Sequence, residues 1–134
     1  MKLIVDTGPL VALLDRKDPH HRWALEAFEE LATPYLTCDA VLTEASHFLG
    51  DSAALRAAWK AGELVIAFDA QKHRERICAL IDKYEPMDFA DACVVVMAEL
   101  HHPATVLTID RRDFARYRIH GRNAIRTIMP ARVQ

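Results

Sequence analysis

The chain has 134 residues, 51% of them hydrophobic and 27% charged, with a formal net charge of −2. That length fits one domain over residues 1–134 with room for a real core, and the small net charge excludes a global basic field as the means of holding a polyanion. No apolar run approaches the roughly 20 residues of a membrane span, no secretory signal pattern opens the chain, and three scattered cysteines (Cys38, Cys78, Cys93) without a Cys-x-x-Cys pair suit buried, reduced thiols in a cytoplasmic protein.

Lys2-Leu3-Ile4-Val5 is a short apolar run with two β-branched members, broken by Asp6-Thr7-Gly8-Pro9. Leu10 to Asp15 follows as a helical run, so a buried strand, a tight turn and a helix are expected here. A strand apolar on both faces suits the centre of a parallel sheet covered by helices. His20 to Ala32 reads as a helix, with Ala24, Ala27, Phe28 and Leu31 on one face. Tyr35 to Cys38 is a strand candidate. Asp39 is the expected N-cap of a helix from Ala40 to Leu49, closed by Gly50. Ser52 to Ala61 is a short helix and Leu64 to Phe68 a strand. Asp69 caps a long amphipathic helix to about Tyr84. Pro86 forces a new start, and Met87 to Leu100 is a helix apolar nearly all round, hence deeply buried. Thr105 to Ile109 is a strand closing on Asp110. Arg111 to Tyr117 suits a turn of helix and Ile125 to Met129 a weak edge strand. The alternation predicts an α/β three-layer sandwich, with a central, mostly parallel sheet of four to five strands flanked by helices.

Several acids fall at element ends. Asp6 ends the first strand and Asp110 ends the strand before it. Glu44 lies early in the helix after the second strand. Asp88 and Asp91, spaced i and i+3, share a face of the buried helix. Carboxyl ends of parallel strands and amino ends of the following helices lie on one sheet edge, where open α/β folds place ligands. Each acid alone has a plainer role: Asp6 as a helix cap, Asp88 and Asp91 as complements to a helix dipole, Glu44 as a solvated side chain. Together they are like charges that need a counterion. Hard oxygen donors without His or Cys suit Mg2+ or Mn2+. The chemistry they support is hydrolysis of a phosphate ester. Thr7 and Thr108 set hydroxyls beside two of the acids, suited to orienting water or a phosphate oxygen.

Leu3-Ile4-Val5-Asp6-Thr7-Gly8-Pro9-Leu10 resembles the opening of PIN-domain ribonucleases. Thr43-Glu44, Met87-Asp88-Phe89-Ala90-Asp91-Ala92, and Thr108-Ile109-Asp110 with Asp113-Phe114 resemble their second, third and fourth acidic motifs, in family order. Size and opening are most similar to the VapC toxins of toxin–antitoxin pairs. The resemblance implies a PIN-like fold and a Mg2+- or Mn2+-dependent endoribonuclease, often a homodimer, silenced by a small antitoxin. By that match Asp6, Glu44, Asp91 and Asp110 are catalytic and hold the metal, with Asp88 an additional acid.

Arg111, Arg112 and Arg116 begin a basic stretch beside Asp110, read either as a solvated face or as a hold on an RNA backbone. The seven histidines show no zinc spacing and read as surface residues. Trp23 and Phe28 suit core packing or an antitoxin or dimer groove, and Trp59 suits packing alone. A phosphatase using Asp6 as nucleophile is an alternative, although Gly8 stands where such enzymes repeat the acid. A receiver-type signalling domain needs a second acid beside Asp6, and Asp15 and Asp18 lie too far along the first helix. A PIN-like fold kept as a binding module completes the alternatives.

Overall fold

The computed structural model describes residues 1–132. Its strands are β1 (Lys2–Val5), β2 (Tyr35–Thr37), β3 (Leu64–Ile66), β4 (Ala104–Leu107), β5 (Arg118–Ile119), β6 (Asn123–Ala124) and β7 (Thr127–Ile128). Its helices are α1 (Thr7–Leu14), α2 (His21–Glu30), α3 (Asp39–Leu49), α4 (Ala53–Lys60), α5 (Arg74–Lys83), α6 (Phe89–Leu100) and α7 (Arg111–Arg116). Five strands form a parallel sheet in the order β3-β2-β1-β4-β7, and β5 and β6 form a separate antiparallel pair. Helices flank the sheet, giving the expected three-layer α/β sandwich.

Strand β1 is central because Leu3, Ile4 and Val5 are all buried, and a strand without a polar face needs cover on both sides. Its cover includes α6, in which Ala90 and every residue from Ala92 to Ala98 are buried. Chain order reverses beside β1: β2 follows it on one flank, and β4 lies on the other. Such a switch point opens a crevice at the carboxyl ends of the strands. Register then sets two side chains there. Val5 pairs with Leu107, so Asp6 and Thr108 leave the sheet side by side.

Several elements are shorter than the sequence predicts. Strand β3 stops at Ile66, short of Phe68. The helix expected from Asp69 begins as a 3-10 turn over Ala70–His73, and α5 proper starts at Arg74. Asp69 still caps this turn, accepting the Gln71 N–H at 3.1 Å. Asp39 is the first residue of α3 and Cys38 is its N-cap. Helix α6 begins at Phe89 with Asp88 as cap, so Met87 lies outside it. The strand expected over Ile125 to Met129 is reduced to β7, at one edge of the sheet, and the β5–β6 pair was not foreseen.

Three expectations on single residues need correction. Cys78 is exposed, unlike the buried Cys38 and Cys93. Ile77 and Leu80 point α5 at the core, and the residue after Ile77 is rotated about 100° away from that face. Trp59 is 52% exposed. The histidines divide: His47, His102 and His120 are exposed, whereas His20, His21, His73 and His101 are half-buried. His21 Nδ1 lies 2.7 Å from the Ala12 carbonyl oxygen. Phe28 packs its ring edge-to-face against Tyr35 at 5.1 Å between centroids. It also lines an apolar cavity with Leu10, Leu14 and Leu25, to which Trp23 does not contribute.

Candidate active site

Asp6 is the residue on which the cleft is built. It is the N-cap of α1, and its Oδ1 accepts the Thr7 N–H at 2.8 Å. Its Oδ2 accepts the Thr108 hydroxyl at 2.8 Å. The capping role and a place in an acidic cleft therefore coexist. A carboxylate offers about four lone-pair sites, so both oxygens keep capacity for another partner. Asp6 is only 7% exposed. Burial raises its carboxyl from the ordinary 3.8 to about 6, against the lowering effect of the Thr108 and Thr7 hydrogen bonds.

The other acids arrive from three helices. Glu44, in the second turn of α3, accepts the Thr7 hydroxyl at Oε1 across 2.6 Å. Asp88 caps α6 by accepting the Asp91 N–H at 2.8 Å. Asp91, one turn in, accepts the Tyr117 hydroxyl at Oδ2 across 2.8 Å. Asp110 caps α7 by accepting the Asp113 N–H at 3.0 Å, and its own N–H reaches the Thr108 hydroxyl oxygen at 3.1 Å. Burial, followed by the charge of Asp6, pushes Asp91 up to about 8. Asp110 is also raised, first by burial.

These side chains meet in one cleft of about 370 Å3, lined by Asp6, Thr7, Glu44, Asp88, Asp91 and Asp110 together with Asp18 and Phe48. The six residues in that set named from the sequence are brought together. Thr108 is fully buried behind Asp6. Both threonine hydroxyls bond to carboxylates of the chain. Arg111 and Arg116 stand on α7, but their guanidinium groups reach the chain itself: Arg111 donates to the Pro130 carbonyl at 2.6 Å, and Arg116 to Asp113 at 3.2 Å. Arg112 is exposed.

One acid and one aromatic escaped sequence reasoning, and a second acid, Asp113, is named there in the fourth motif but not as a site residue. Asp18 lines the cleft because the chain doubles back after α1, with Asp18 N–H bonded to the Asp15 carbonyl at 3.0 Å. Asp18, expected to lie too far along the first helix to pair with Asp6, lines the same cleft. Asp113 joins Asp91 and Asp110 as the tightest acid group among the described residues, with one ligand oxygen from each lying within 4.8 Å of the others. Asp6 and Glu44 fall outside that tightest set. The spacing of Asp110 and Asp113, three residues apart on a helix start, was a usable signal for Asp113. Tyr117 carried none, because its partner lies 26 residues away.

The donor set fits a hard divalent cation. Among the described residues no histidine or cysteine lines the cleft, and its polar side chains are carboxylates and a threonine hydroxyl. The raised carboxyls agree with this: burial first, and neighbouring carboxylates after it, disfavour the site's own negative charge, which a bound cation would compensate.

A parallel β3-β2-β1-β4-β7 sheet with acids gathered at its carboxyl edge defines a PIN-type α/β protein, and residues 3–119 match the PIN domain family. The chain belongs to that family. It is also similar to Ribonuclease VapC26 of Mycobacterium tuberculosis (strain ATCC 25618 / H37Rv), with 27% identity over 132 residues, covering 89% of this chain and 94% of that protein.

Proposed function

We propose that this chain is an endoribonuclease that hydrolyses RNA phosphodiester bonds with Mg2+ or Mn2+, and that it is the toxin of a toxin–antitoxin pair. The observation that carries the reading is the convergence of Asp6, Glu44, Asp91 and Asp110 on one cleft at the switch point of a PIN-family sheet. The likeness to a protein named as a ribonuclease supports RNA as the substrate. A small antitoxin, a homodimeric state, a single working domain over residues 1–134 and a cytoplasmic location belong to the same reading.

Asp6, Glu44, Asp91 and Asp110 would hold the cation, with Asp113 within reach of the last two. When bound, the ion supplies charge stabilisation at the phosphate and lowers the pKa of water. The chain's own work is orientation. Thr7 fixes Glu44 and Thr108 fixes Asp6, so neither acid must find its rotamer when substrate arrives. Asp88, exposed at the cleft margin, sets the first turn of α6 and thereby the position of Asp91. Arg112, and Arg111 and Arg116 with it, would meet backbone phosphates along α7.

The test is incubation of the purified protein with mixed cellular RNA in Mg2+, in Mn2+ and in chelator, followed by mapping of the new ends. Discrete new ends that require metal support the reading. Intact RNA under all three conditions contradicts it.

A further inference from the structure

Tyr117 is fully buried. Its ring meets Tyr84 edge-on at 5.2 Å between centroids and Phe114 at 5.1 Å. Phe114 is itself 2% exposed. A ring held on two sides by aromatic neighbours has one accessible orientation, and that orientation fixes where the single polar atom ends. It ends 2.8 Å from Oδ2 of Asp91. A phenylalanine would fill the same space, so packing alone does not account for the hydroxyl. Asp91 has few other restraints. It sits one turn into α6 and is half-buried, and among the described residues no other protein donor reaches its side-chain oxygens. Its carboxylate would otherwise rotate about its last, broad torsion.

We infer that Tyr117 is a positioning residue for metal binding: its hydroxyl, bonded to Oδ2, fixes the plane of the Asp91 carboxylate and so orients its oxygens for the cation. The inference rests on the reading of the cleft as a divalent-metal site. Partners that orient a ligating carboxylate typically contribute about 10- to 100-fold in metal affinity. Beside it, the Arg118 N–H donates to the Tyr84 hydroxyl at 3.1 Å, which holds the chain after α7 against the end of α5 rather than against Asp91.

Calorimetric titration of the full chain with Mn2+, without RNA, tests this directly. Tyr117→Phe keeps the ring and removes one oxygen. It is expected to bind Mn2+ about 10- to 100-fold more weakly than wild type, with an unchanged circular dichroism spectrum in chelator. Tyr84→Phe removes the neighbouring hydroxyl of the same aromatic cluster, which does not touch Asp91, and is expected to bind as wild type does. In an Asp91→Asn background, Tyr117→Phe should cause no further loss, a result that general loosening would not produce. Equal Mn2+ affinity in wild type and Tyr117→Phe would overturn the positioning role while leaving the metal site standing. Equal weakening by the two Tyr→Phe changes would overturn it too, by pointing to packing. A wild type that binds no Mn2+ would remove the metal reading and this inference together.

Discussion

Thr108 donates its hydroxyl to Oδ2 of Asp6 across 2.8 Å, joining the ends of β4 and β1 behind the cleft. The Thr108 hydroxyl oxygen itself accepts the Asp110 N–H at 3.1 Å, so one fully buried hydroxyl links two of the acids proposed to hold metal. Thr108→Val keeps the shape and leaves both partners unpaired. Each unsatisfied buried group costs about 1–3 kcal/mol. A lower melting temperature is expected, with RNA cleavage reduced about 10- to 100-fold. A variant with wild-type stability and rate would show that this bond is incidental.

Metal-free stability should fall as pH rises. Asp6 is raised from 3.8 to about 6 and Asp91 to about 8, so the folded protein holds these protons more tightly than the unfolded chain does. Their contribution is fully present below about pH 4 and is lost as pH climbs through about 6 and then about 8. For Asp6 alone the shift from 3.8 to about 6 corresponds to about 3 kcal/mol. Urea unfolding in chelator at pH 4, pH 6 and pH 8 measures the slope across both windows. Asp6→Asn should flatten it, and an identical slope in both proteins would contradict the assignment.

Gly8 is required by space. A Cβ there would lie 2.5 Å from Cγ1 and 2.8 Å from Cδ1 of Ile109, the residue between Thr108 and Asp110. Gly8→Ala should therefore destabilise by about 1–3 kcal/mol through overpacking and lower cleavage by displacing Asp110. Ile109→Ala removes both clashing atoms, so the double variant should recover part of the loss in a thermal melt. Additive losses would point elsewhere.

The two acids of α6 separate by role. Asp88 is an exposed N-cap, and asparagine caps a helix about as well as aspartate does. Asp91 is half-buried beside Asp110 and Asp113. Asp91→Asn should cost far more activity than Asp88→Asn in side-by-side initial rates. The opposite order would reassign the third acidic motif.

What the sequence made legible was local. The apolar run at Lys2–Val5 and the uniformly apolar centre of α6 announced a buried parallel strand and its covering helix, because hydrophobic periodicity is a short-range property. The acids at element ends were legible for the same reason, as strand order converts chain position into a place on one edge. Contacts that depend on tertiary packing were not. Tyr117 reaches Asp91 only because the chain passing from α7 into β5 packs against α6, and Asp18 reaches the cleft only because residues 15–20 reverse direction. The 3-10 turn before α5 was missed because its residues carry the same polar pattern as an α-helical first turn. Trp59 was assigned to packing by residue type, and its exposure is set by which face of α4 meets the sheet.

Thermal melts of wild type and Asp6→Asn, each in chelator and in millimolar Mn2+, test the acidic cleft as a cation site most directly. In chelator the variant should melt higher, since the amide removes a charge that burial disfavours while keeping the cap. Mn2+ at 100 times its dissociation constant should stabilise wild type by about 2.7 kcal/mol and the variant much less. If Asp6 served only as the cap of α1, the amide would be neutral and Mn2+ would shift both proteins equally. Equal shifts would contradict the account.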